Sequence, residues 1–422
     1  MIAFSSRMPS TGISPVSPAI SCDGVSITAV AEAVGTPLYV TDAAQVRSRF
    51  EALHHAFGDY PHALHYALKA NSLTGILRVI RELGGAADAN SIWEIEVARR
   101  VGFEPSEIVF TGVGKSGDEL AQAVPLGLKA INVESAGELS RIERIAESLG
   151  RPARVAVRVN PDIDAKSHPH ISTGLKINKF GVPLDAAREL LATFSARPWL
   201  QLVAIHVHIG SQITSLEPLE RAATFVATMG GELRRAGLPL EYLDVGGGLG
   251  ISYDGAPVVA PSDYVSALVA AVRPTGLPIV IEPGRSIVGP AAMLVARVID
   301  IKPRNAVSEF VVIDAGMTEL MRPALYGAFH RIDAVQPRAG DVRHYEIVGP
   351  VCESSDVVGR DRMMAPLEVG DLVVVRDAGA YGSAMASNYN RRPLPPEVIV
   401  DRGEWRVARR RQTVDDMLSL ES

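Results

Sequence analysis

The sequence predicts a (β/α)8 barrel, in the α/β class, joined to a second domain that is mostly antiparallel β-sheet. Between residues 38 and 285, short apolar runs alternate with longer amphipathic runs, which is typical of parallel strands with helical crossovers. After about residue 290, β-like runs are separated by Gly, Pro and charged turns. Eight strand–helix units in about 250 residues fit a closed barrel. A doubly wound open sheet is the alternative fold.

Eight short apolar runs are the predicted barrel strands. They lie at Leu64–Leu68, Ala86–Ala89, Ile108–Phe110, Ala130–Val133, Val155–Val159, Leu202–Val207, Tyr242–Val245 and Ile279–Ile281. The helical patterns between them are Leu73–Leu83, Ile92–Val101, Gly117–Ala123, Ala136–Leu149, Leu184–Thr193, Leu216–Ala236 and Tyr264–Val272. The later β-like runs are Ala292–Ile301, Phe310–Ile313, Tyr345–Val348 and Leu372–Arg376. We therefore assign residues 38–288 to the barrel, and residues 1–37 together with 289–422 to the β-rich domain.

Composition excludes several classes of protein. The chain has 422 residues, 47% of them hydrophobic, which is enough for two folded domains and argues against disorder. The net charge of -6 gives no reason to expect nucleic-acid binding, and no apolar run is long enough for a bilayer. The Ser- and Pro-rich start has no signal-peptide core. Having only two cysteines, Cys22 and Cys352, argues against a disulfide framework or a Cys-rich zinc site and predicts a cytoplasmic protein.

Lys69 is the most informative residue in the chain, because it ends the first predicted strand. A buried ammonium group is costly unless it is paired or neutral. A desolvated lysine has a lowered pKa and can attack a carbonyl to form a Schiff base. On this run alone, a lysine that simply leaves the strand into solvent is the simpler interpretation.

Polar side chains follow seven of the eight predicted strands, at the end where (β/α)8 barrels carry their active sites. The runs are Lys69, Asp88-Ala89-Asn90-Ser91, Thr111-Gly112, Arg158-Val159-Asn160-Pro161, His206-Val207-His208-Ile209-Gly210-Ser211, Asp244–Gly250 and Glu282-Pro283-Gly284-Arg285. Turn chemistry explains one or two such ends but explains seven poorly. The pattern therefore favours a reactive Lys69.

The loops after the last three strands predict a cofactor site. The triple glycine Gly246–Gly248 lets backbone N–H groups approach a phosphate, and Arg285 adds a bidentate donor. Glu282 pairs either with Arg285 or with a protonated ring nitrogen. His208 could bind a metal with His206, but no third ligand has matching spacing, so stacking on a cofactor ring is the better interpretation and no metal is predicted. With a reactive lysine, these groups describe a site for pyridoxal 5'-phosphate.

Several runs resemble the fold-type III pyridoxal phosphate decarboxylases. These are YALKAN, HVHIGSQ, DVGGGLG, EPGR, CESSD and DAGAYGSAM. Two longer runs, His168–Gly181 and Met317–His330, most resemble the diaminopimelate decarboxylases within that group. The resemblance implies decarboxylation of meso-2,6-diaminopimelate to L-lysine and carbon dioxide through a pyridoxal phosphate aldimine, the last step of lysine biosynthesis. Decarboxylation of another carboxylate-bearing amino acid, in a secondary or siderophore pathway, is the alternative.

The resemblance implies a role for each matching residue. Lys69 would carry the aldimine, His208 would stack on the pyridine ring, and Glu282 would keep the ring nitrogen protonated. Cys352 would be the acid that reprotonates the carbanion. The other cofactor-binding residues would be Asp88, Ser211, Gly247, Gly248, Gly284, Arg285 and Tyr381. The substrate-binding residues would be Arg285, Arg322, Tyr326, Glu353 and Tyr381, with the arginines on the distal carboxylate and Glu353 on the distal ammonium.

The resemblance also implies a head-to-tail homodimer with shared active sites. Cys352, Glu353 and Tyr381 of the β-rich domain would then act on the barrel of the partner. Two departures from the family pattern leave the substrate open. Ile92-Trp93 stand where the family has a Gly-Gly pair, so the site could be narrower, and Ile177 stands where an acid is common.

Overall fold

Eight parallel strands close into a barrel in the computed structural model of the chain, which describes residues 19–165, 173–174 and 178–421. They are β1 (His62–Ala67), β2 (Ala86–Ala89), β3 (Ile108–Phe110), β4 (Ala130–Val133), β5 (Ala153–Asn160), β6 (Leu200–His206), β7 (Tyr242–Asp244) and β8 (Ile279–Ile281). Neighbours in sequence pair in parallel, and β8 pairs with β1 to close the ring, with Ile281 opposite Leu64. The barrel prediction is confirmed, and the open-sheet alternative is wrong.

Helices cover the outside of the barrel. They are α1 (Ala43–Ala56), α2 (Thr74–Glu82), α3 (Ile92–Val101), α4 (Gly117–Ala123), α5 (Ala136–Ser148), α6 (Leu184–Ala192), α7 (Leu216–Arg235), α8 (Pro261–Val272) and α9 (Arg285–Val288). Side-chain caps define several starts. Asp42 accepts from the Gln45 N–H ahead of α1, and Ser135 accepts from the Glu138 N–H ahead of α5. Helix α9 is only a single turn long and covers little of the barrel. Helix α1 contacts both α8 and α2 and thereby completes the outer layer of helices.

The second domain is built around a mixed but mostly antiparallel sheet. Its strands are, in spatial order, Val357–Met364, Arg343–Val348, Glu309–Ile313, Ala292–Pro303, Leu38–Asp42, Glu397–Asp401 and Glu404–Arg409. Leu372–Val375 and Ile332–Ala334 extend the sheet from Ala292–Pro303. The predicted β-rich domain is thus confirmed as a fold element. The short strands Ser21–Cys22 and Val25–Ser26 form a separate hairpin, and helix Ile27–Val34 follows it. Two further short helices are Arg322–Tyr326 and Val414–Leu418.

One predicted boundary needs correction. We assigned Leu38–Asp42 to the barrel, but this strand pairs with Ala292–Pro303 and with Glu397–Asp401 in the second sheet. Its residues are nearly all buried, so an apolar run of this kind suits either sheet equally well. The barrel therefore begins at Ala43 rather than at residue 38.

The two domains meet at the carboxyl ends of the barrel strands. The loop around Gly379 lies directly on this end, where a side chain at position 379 would come within 1.9 Å of the Val288 carbonyl oxygen. The Asn71 amide donates to the Gly379 carbonyl oxygen at 3.1 Å. Contact this close requires glycine, and it brings the second domain to the end of the barrel that carries the polar residues. None of the helices formed by the described residues has both the length and the apolar surface needed to span a bilayer.

Candidate active site

Lys69 lies in the turn after β1 and pairs with Asp88 at the end of β2. The Lys69 Nζ is 3.1 Å from the Asp88 Oδ2. Asp88 is fully buried, whereas the Lys69 side chain is 31% exposed because it faces a cavity. Burial lowers the pKa of Lys69, but the carboxylates of Asp88 and Glu282 outweigh burial and raise it overall. The prediction that the pKa of Lys69 is lowered is therefore wrong. The ammonium group is stabilised by pairing with carboxylates rather than by losing its proton.

His208 follows β6 and lines the same cavity as Lys69. Burial, together with the charges of Lys69 and Arg158, lowers the pKa of His208 well below its ordinary value, so the imidazole is neutral. Its Nδ1 is buried and makes no hydrogen bond within the described part of the chain. A neutral, flat ring at this place suits stacking on an aromatic ligand.

Glu282 is buried at the end of β8 and is held ionised by its neighbours. Burial alone raises the pKa of Glu282, but His206 and Lys69 outweigh burial and lower it. The Glu282 Oε2 is 3.3 Å from the His206 Nε2 without hydrogen-bond geometry, and the Thr111 hydroxyl donates to Oε1 at 3.4 Å. The alternative interpretation, in which Glu282 pairs with Arg285, is therefore wrong.

A second carboxyl group, that of Asp244, lies beside Glu282 and His206. Polar atoms of His206, Asp244 and Glu282 all lie within 4.8 Å of one another. Burial and the neighbouring Glu282 raise the pKa of Asp244 well above its ordinary value. Glu282 lines the cavity that Lys69 and His208 share, and its ionised carboxylate suits a protonated ring nitrogen.

Glycines bring three loops together where a phosphate is expected. A side chain at Gly247 would come within 2.2 Å of the Glu282 carbonyl oxygen, and one at Gly248 within 2.6 Å of the Gly210 carbonyl oxygen. Gly284 is similarly close to the turn after β1. At the edge of this cluster the Arg285 Nη2 donates to the Ser211 hydroxyl at 3.1 Å. Backbone N–H groups and a guanidinium close together fit a phosphate group.

Tyr381 comes from the second domain but lines the Lys69 cavity of its own chain. Its backbone N–H donates to the Ala70 carbonyl oxygen at 2.8 Å, and its ring lies 4.8 Å from the centre of the Arg285 guanidinium. The expectation that Tyr381 acts on the partner's barrel is therefore wrong. The contact with the turn after β1 holds it within its own site.

The cavity beside Lys69 leads toward the predicted substrate residues. It has a volume of about 260 Å³ and reaches Arg285, Tyr326 and Tyr381. A neighbouring cavity of about 340 Å³ is lined by Arg322 and shares Arg285 and Tyr326 with the first. Arg322 is buried, and burial together with the charge of Arg285 lowers its pKa from the ordinary value. The guanidinium groups of Arg285 and Arg322 thus line these two neighbouring cavities.

Known proteins resemble this chain in sequence. Residues 43–289 match the family described as pyridoxal-dependent decarboxylase, pyridoxal binding domain. The diaminopimelate decarboxylase of Pseudomonas aeruginosa is 42% identical over 405 residues, which are 95% of this chain and 96% of that relative. The chain belongs to the diaminopimelate decarboxylase family. Its cofactor is pyridoxal phosphate, and the lysine, the ionised acid, the neutral imidazole and the glycine cluster described above fit that group.

Solved structures of diaminopimelate decarboxylases have the same fold. The crystal structure of the Helicobacter pylori diaminopimelate decarboxylase complexed with L-lysine has a TM-score of 0.90 and 41% sequence identity, covering 93% of this chain and 98% of that one. A lysine/ornithine decarboxylase from Vibrio vulnificus complexed with cadaverine has a TM-score of 0.79, with 89% and 97% covered. At 23% identity, this second likeness shows the fold alone.

Two residues that the diaminopimelate decarboxylase pattern assigns to the site lie outside it in one chain. Cys352 and Glu353 are exposed and do not line the cavities beside Lys69 or Arg322. The Cys352 N–H donates to the Asn390 side chain at 3.3 Å, and Glu353 accepts from the Tyr389 hydroxyl at 2.7 Å. The structure therefore brings together the other predicted site residues but not these two.

The Ile92-Trp93 departure from the diaminopimelate decarboxylase pattern does not narrow the site. Ile92 packs into the core between barrel and helices, and Trp93 is 72% exposed on the first turn of α3. Neither lines the cavities at Lys69 or Arg322. Ile177, and part of the run His168–Gly181, lie outside the described residues.

Sequence reasoning missed several residues of this site. Arg158 was noted at a strand end without a role, but it pairs with buried Glu134 at 2.7 Å. The same Glu134 accepts the Gly181 N–H, which ties the chain after β5 to the barrel. Tyr253 and His330 contact the two arginines. His330 ends the run Met317–His330, which was a signal that could have drawn attention to it.

Proposed function

We propose that the protein decarboxylates meso-2,6-diaminopimelate to L-lysine and carbon dioxide. The observation that carries this proposal is the cavity that runs from Lys69 to Arg285 and Tyr326, next to Arg322. The substrate has a second amino acid centre with its own carboxylate, far from the reacting centre. A guanidinium is the natural partner for that carboxylate. The relatives named diaminopimelate decarboxylase, one of them solved with L-lysine, support the same substrate.

The first proton transfer is from the Lys69 ammonium group to Asp88. Bound pyridoxal phosphate supplies an electron sink for the electron pair left when carbon dioxide departs. To react with a carbonyl, the Lys69 ammonium must first lose a proton, and the Asp88 Oδ2 lies 3.1 Å away. Burial and the charge of Glu282 raise the pKa of Asp88, which makes it a better proton acceptor than an exposed aspartate. Asp88 therefore both orients Lys69 and can take its proton.

The surrounding residues hold and polarise the ring. Ionised Glu282 would keep the ring nitrogen protonated, and neutral His208 would offer a flat surface to the ring. Ser211, Gly247, Gly248, Gly284 and Arg285 would bind the phosphate. Tyr381 lies alongside and covers one side of the cavity next to Lys69.

The remaining groups come from a second copy of the chain in our proposal. Cys352 would give a proton to the carbon that loses carbon dioxide, and Glu353 would bind the distal ammonium. Both are exposed and outside the cavities of their own chain, which supports a homodimer in which the β-rich domain serves the partner's barrel. Both cysteines of the chain, Cys22 and Cys352, are free thiols, which supports a cytoplasmic location.

Carbon dioxide release from meso-diaminopimelate, L-lysine, L-ornithine and L-arginine tests the substrate. We expect turnover of meso-diaminopimelate only, because the other three carry no second carboxylate. Arg322→Ala should raise KM for meso-diaminopimelate by about tenfold or more while the cofactor absorbance is kept. Arg360→Ala, on an exposed strand of the second domain, is the matched control. Turnover of ornithine or arginine in preference to meso-diaminopimelate would refute the proposal.

A further inference from the structure

Two like-charged arginines, Arg285 and Arg322, line one cavity. Tyr253 contacts both of them, and His330 contacts Arg322. The Arg285 Nη1 donates to the Tyr253 hydroxyl at 2.7 Å. The Arg322 guanidinium lies 4.5 Å from the centre of the Tyr253 ring. The Arg322 Nη1 also lies 2.7 Å from the His330 Nε2. Since Tyr253 and Arg285 follow β7 and β8 while the other two belong to the second domain, the network joins the domains.

The contact with Arg322 determines the tautomer of His330. A guanidinium has donors and no acceptor, so the His330 Nε2 must accept and the proton must sit on Nδ1. The Nδ1 in turn donates to the Arg376 carbonyl oxygen at 2.8 Å. Burial, with the charges of Arg322 and Arg285, lowers the pKa of His330 to about 3. The ring is therefore a fixed neutral acceptor throughout the neutral pH range.

Tyr253 contacts both cations through different parts of its side chain. Its hydroxyl accepts from Arg285, while its ring face attracts the Arg322 guanidinium. The His330 ring meets the Tyr253 ring at 74°, with the centroids 5.1 Å apart. Repulsion between the arginines favours their separation, which is why the charge of Arg285 lowers the pKa of Arg322. The two aromatic residues oppose that separation.

We propose that Tyr253 and His330 are positioning residues that hold Arg285 and Arg322 together to receive the carboxylate of the non-reacting amino acid centre. The Arg322 Nε is buried and has no hydrogen-bond partner among the described residues, and the Arg322 side chain lines the same cavity as Arg285. Holding the donors in place before binding reduces the entropy lost when the carboxylate arrives. This inference rests on the proposed function and adds residues that determine its specificity.

A pair of ligands isolates the carboxylate contribution without turnover. L-lysine keeps the carboxylate and ammonium of the non-reacting centre, whereas cadaverine lacks that carboxylate and is otherwise the same chain. Isothermal titration of the cofactor-loaded protein with each ligand gives a ratio of dissociation constants. In the native protein we expect L-lysine to bind about tenfold or more tightly than cadaverine, because hydrogen bonds to charged groups contribute that much.

Three variants test the two positioning residues. His330→Phe removes the acceptor and should weaken L-lysine binding about tenfold with cadaverine binding unchanged. His330→Gln restores an acceptor and should recover most of the loss. Tyr253→Phe keeps the ring but loses the hydroxyl, and should weaken L-lysine binding by about threefold to tenfold. His344→Phe, which changes a partly exposed histidine of the second domain, is the control and should alter neither constant.

The outcomes separate this inference from the proposed function. If the native protein binds both ligands equally, the proposed recognition of a second carboxylate fails. If the native ratio is large and remains unchanged in His330→Phe and Tyr253→Phe, the arginines need no positioning and this inference fails. A role in stability alone would lower the unfolding temperature without changing the ratio. If His330→Phe does not fold, Tyr253→Phe, which lacks one oxygen atom only, decides the outcome.

Discussion

The cofactor end of the barrel and the exposed turn at Cys352 differ in how complete they are within one chain. At the barrel end, Lys69, Glu282 and His208 surround one cavity, and their charges are set by one another. At the exposed turn, the Cys352 N–H donates to the Asn390 side chain, and Glu353 accepts from the Tyr389 hydroxyl. In the proposed mechanism, one chain binds the cofactor and a second chain supplies the proton donor.

The largest expected effect is at the barrel end. Lys69→Ala removes the amine that bonds to the cofactor, so we expect kcat to fall by at least about 10³-fold and the visible absorbance of the lysine-bound cofactor to disappear. Lys302→Ala, at an exposed position of the second domain, should change neither. Retention of the absorbance band by the Lys69 variant would remove the basis for the proposed chemistry.

The next effect is at the exposed turn and should leave the cofactor untouched. Cys352→Ala should lower kcat by about 10² to 10⁴-fold through loss of a proton donor, while the absorbance stays. Mixing this variant with Lys69→Ala should restore about a quarter of the native activity, because about half of the dimers are hybrids with one intact site. Cys22→Ala is the cysteine control. Failure to recover activity despite demonstrated subunit exchange would place both groups in one chain.

The smallest expected effect concerns the pH dependence of stability. It tests whether the interior of the barrel, which carries the cofactor end, is closed to water. Burial and the nearby Lys129 lower the pKa of His65, inside the barrel, to about 4. The unfolded state, with a histidine pKa of about 6.5, binds more protons between these values. The contribution is therefore fully present above about pH 6.5 and declines on acidification toward pH 4, by up to about 1.4 kcal/mol per pH unit.

Urea unfolding at a series of pH values, at one protein concentration, measures this contribution. His65→Gln should flatten the pH dependence of the free energy of unfolding by about one proton, relative to the native protein. His55→Gln, at an exposed position of α1, should leave the slope as it was. An equal slope in native protein and His65→Gln would mean that the interior of the barrel admits water and exchanges protons freely.

Much of the fold follows from the sequence because the barrel has a repeated local pattern. Each of the eight strands is a short apolar run, seven of them are followed by a polar end, and closing the barrel gathers those ends. That gathering is why Lys69, Asp88, His208 and Glu282 were predicted together. Leu38–Asp42 was assigned to the wrong sheet because local apolarity carries no information on the partner strand.

The rest of the site depends on contacts that have no local pattern. The raised pKa of Lys69 results from Asp88 and Glu282 at the ends of other strands, so strand burial alone gave the wrong direction. Tyr381 was expected on the partner's barrel because of the family resemblance, and the sequence does not reveal its backbone contact with Ala70. The contacts of Tyr253 and His330 with two arginines likewise join segments that lie far apart in the chain.

The position of Tyr381 determines whether the barrel could work without the second domain. The region that matches the cofactor-binding family ends at residue 289, which suggests a portable module. Yet one side of the cavity, next to the reactive amine, is supplied by a residue nearly a hundred positions later, held by its backbone bond to Ala70. An excised barrel would open that side to solvent. Grafting the chemistry onto a new scaffold would therefore require moving the loop that carries Tyr381 as well.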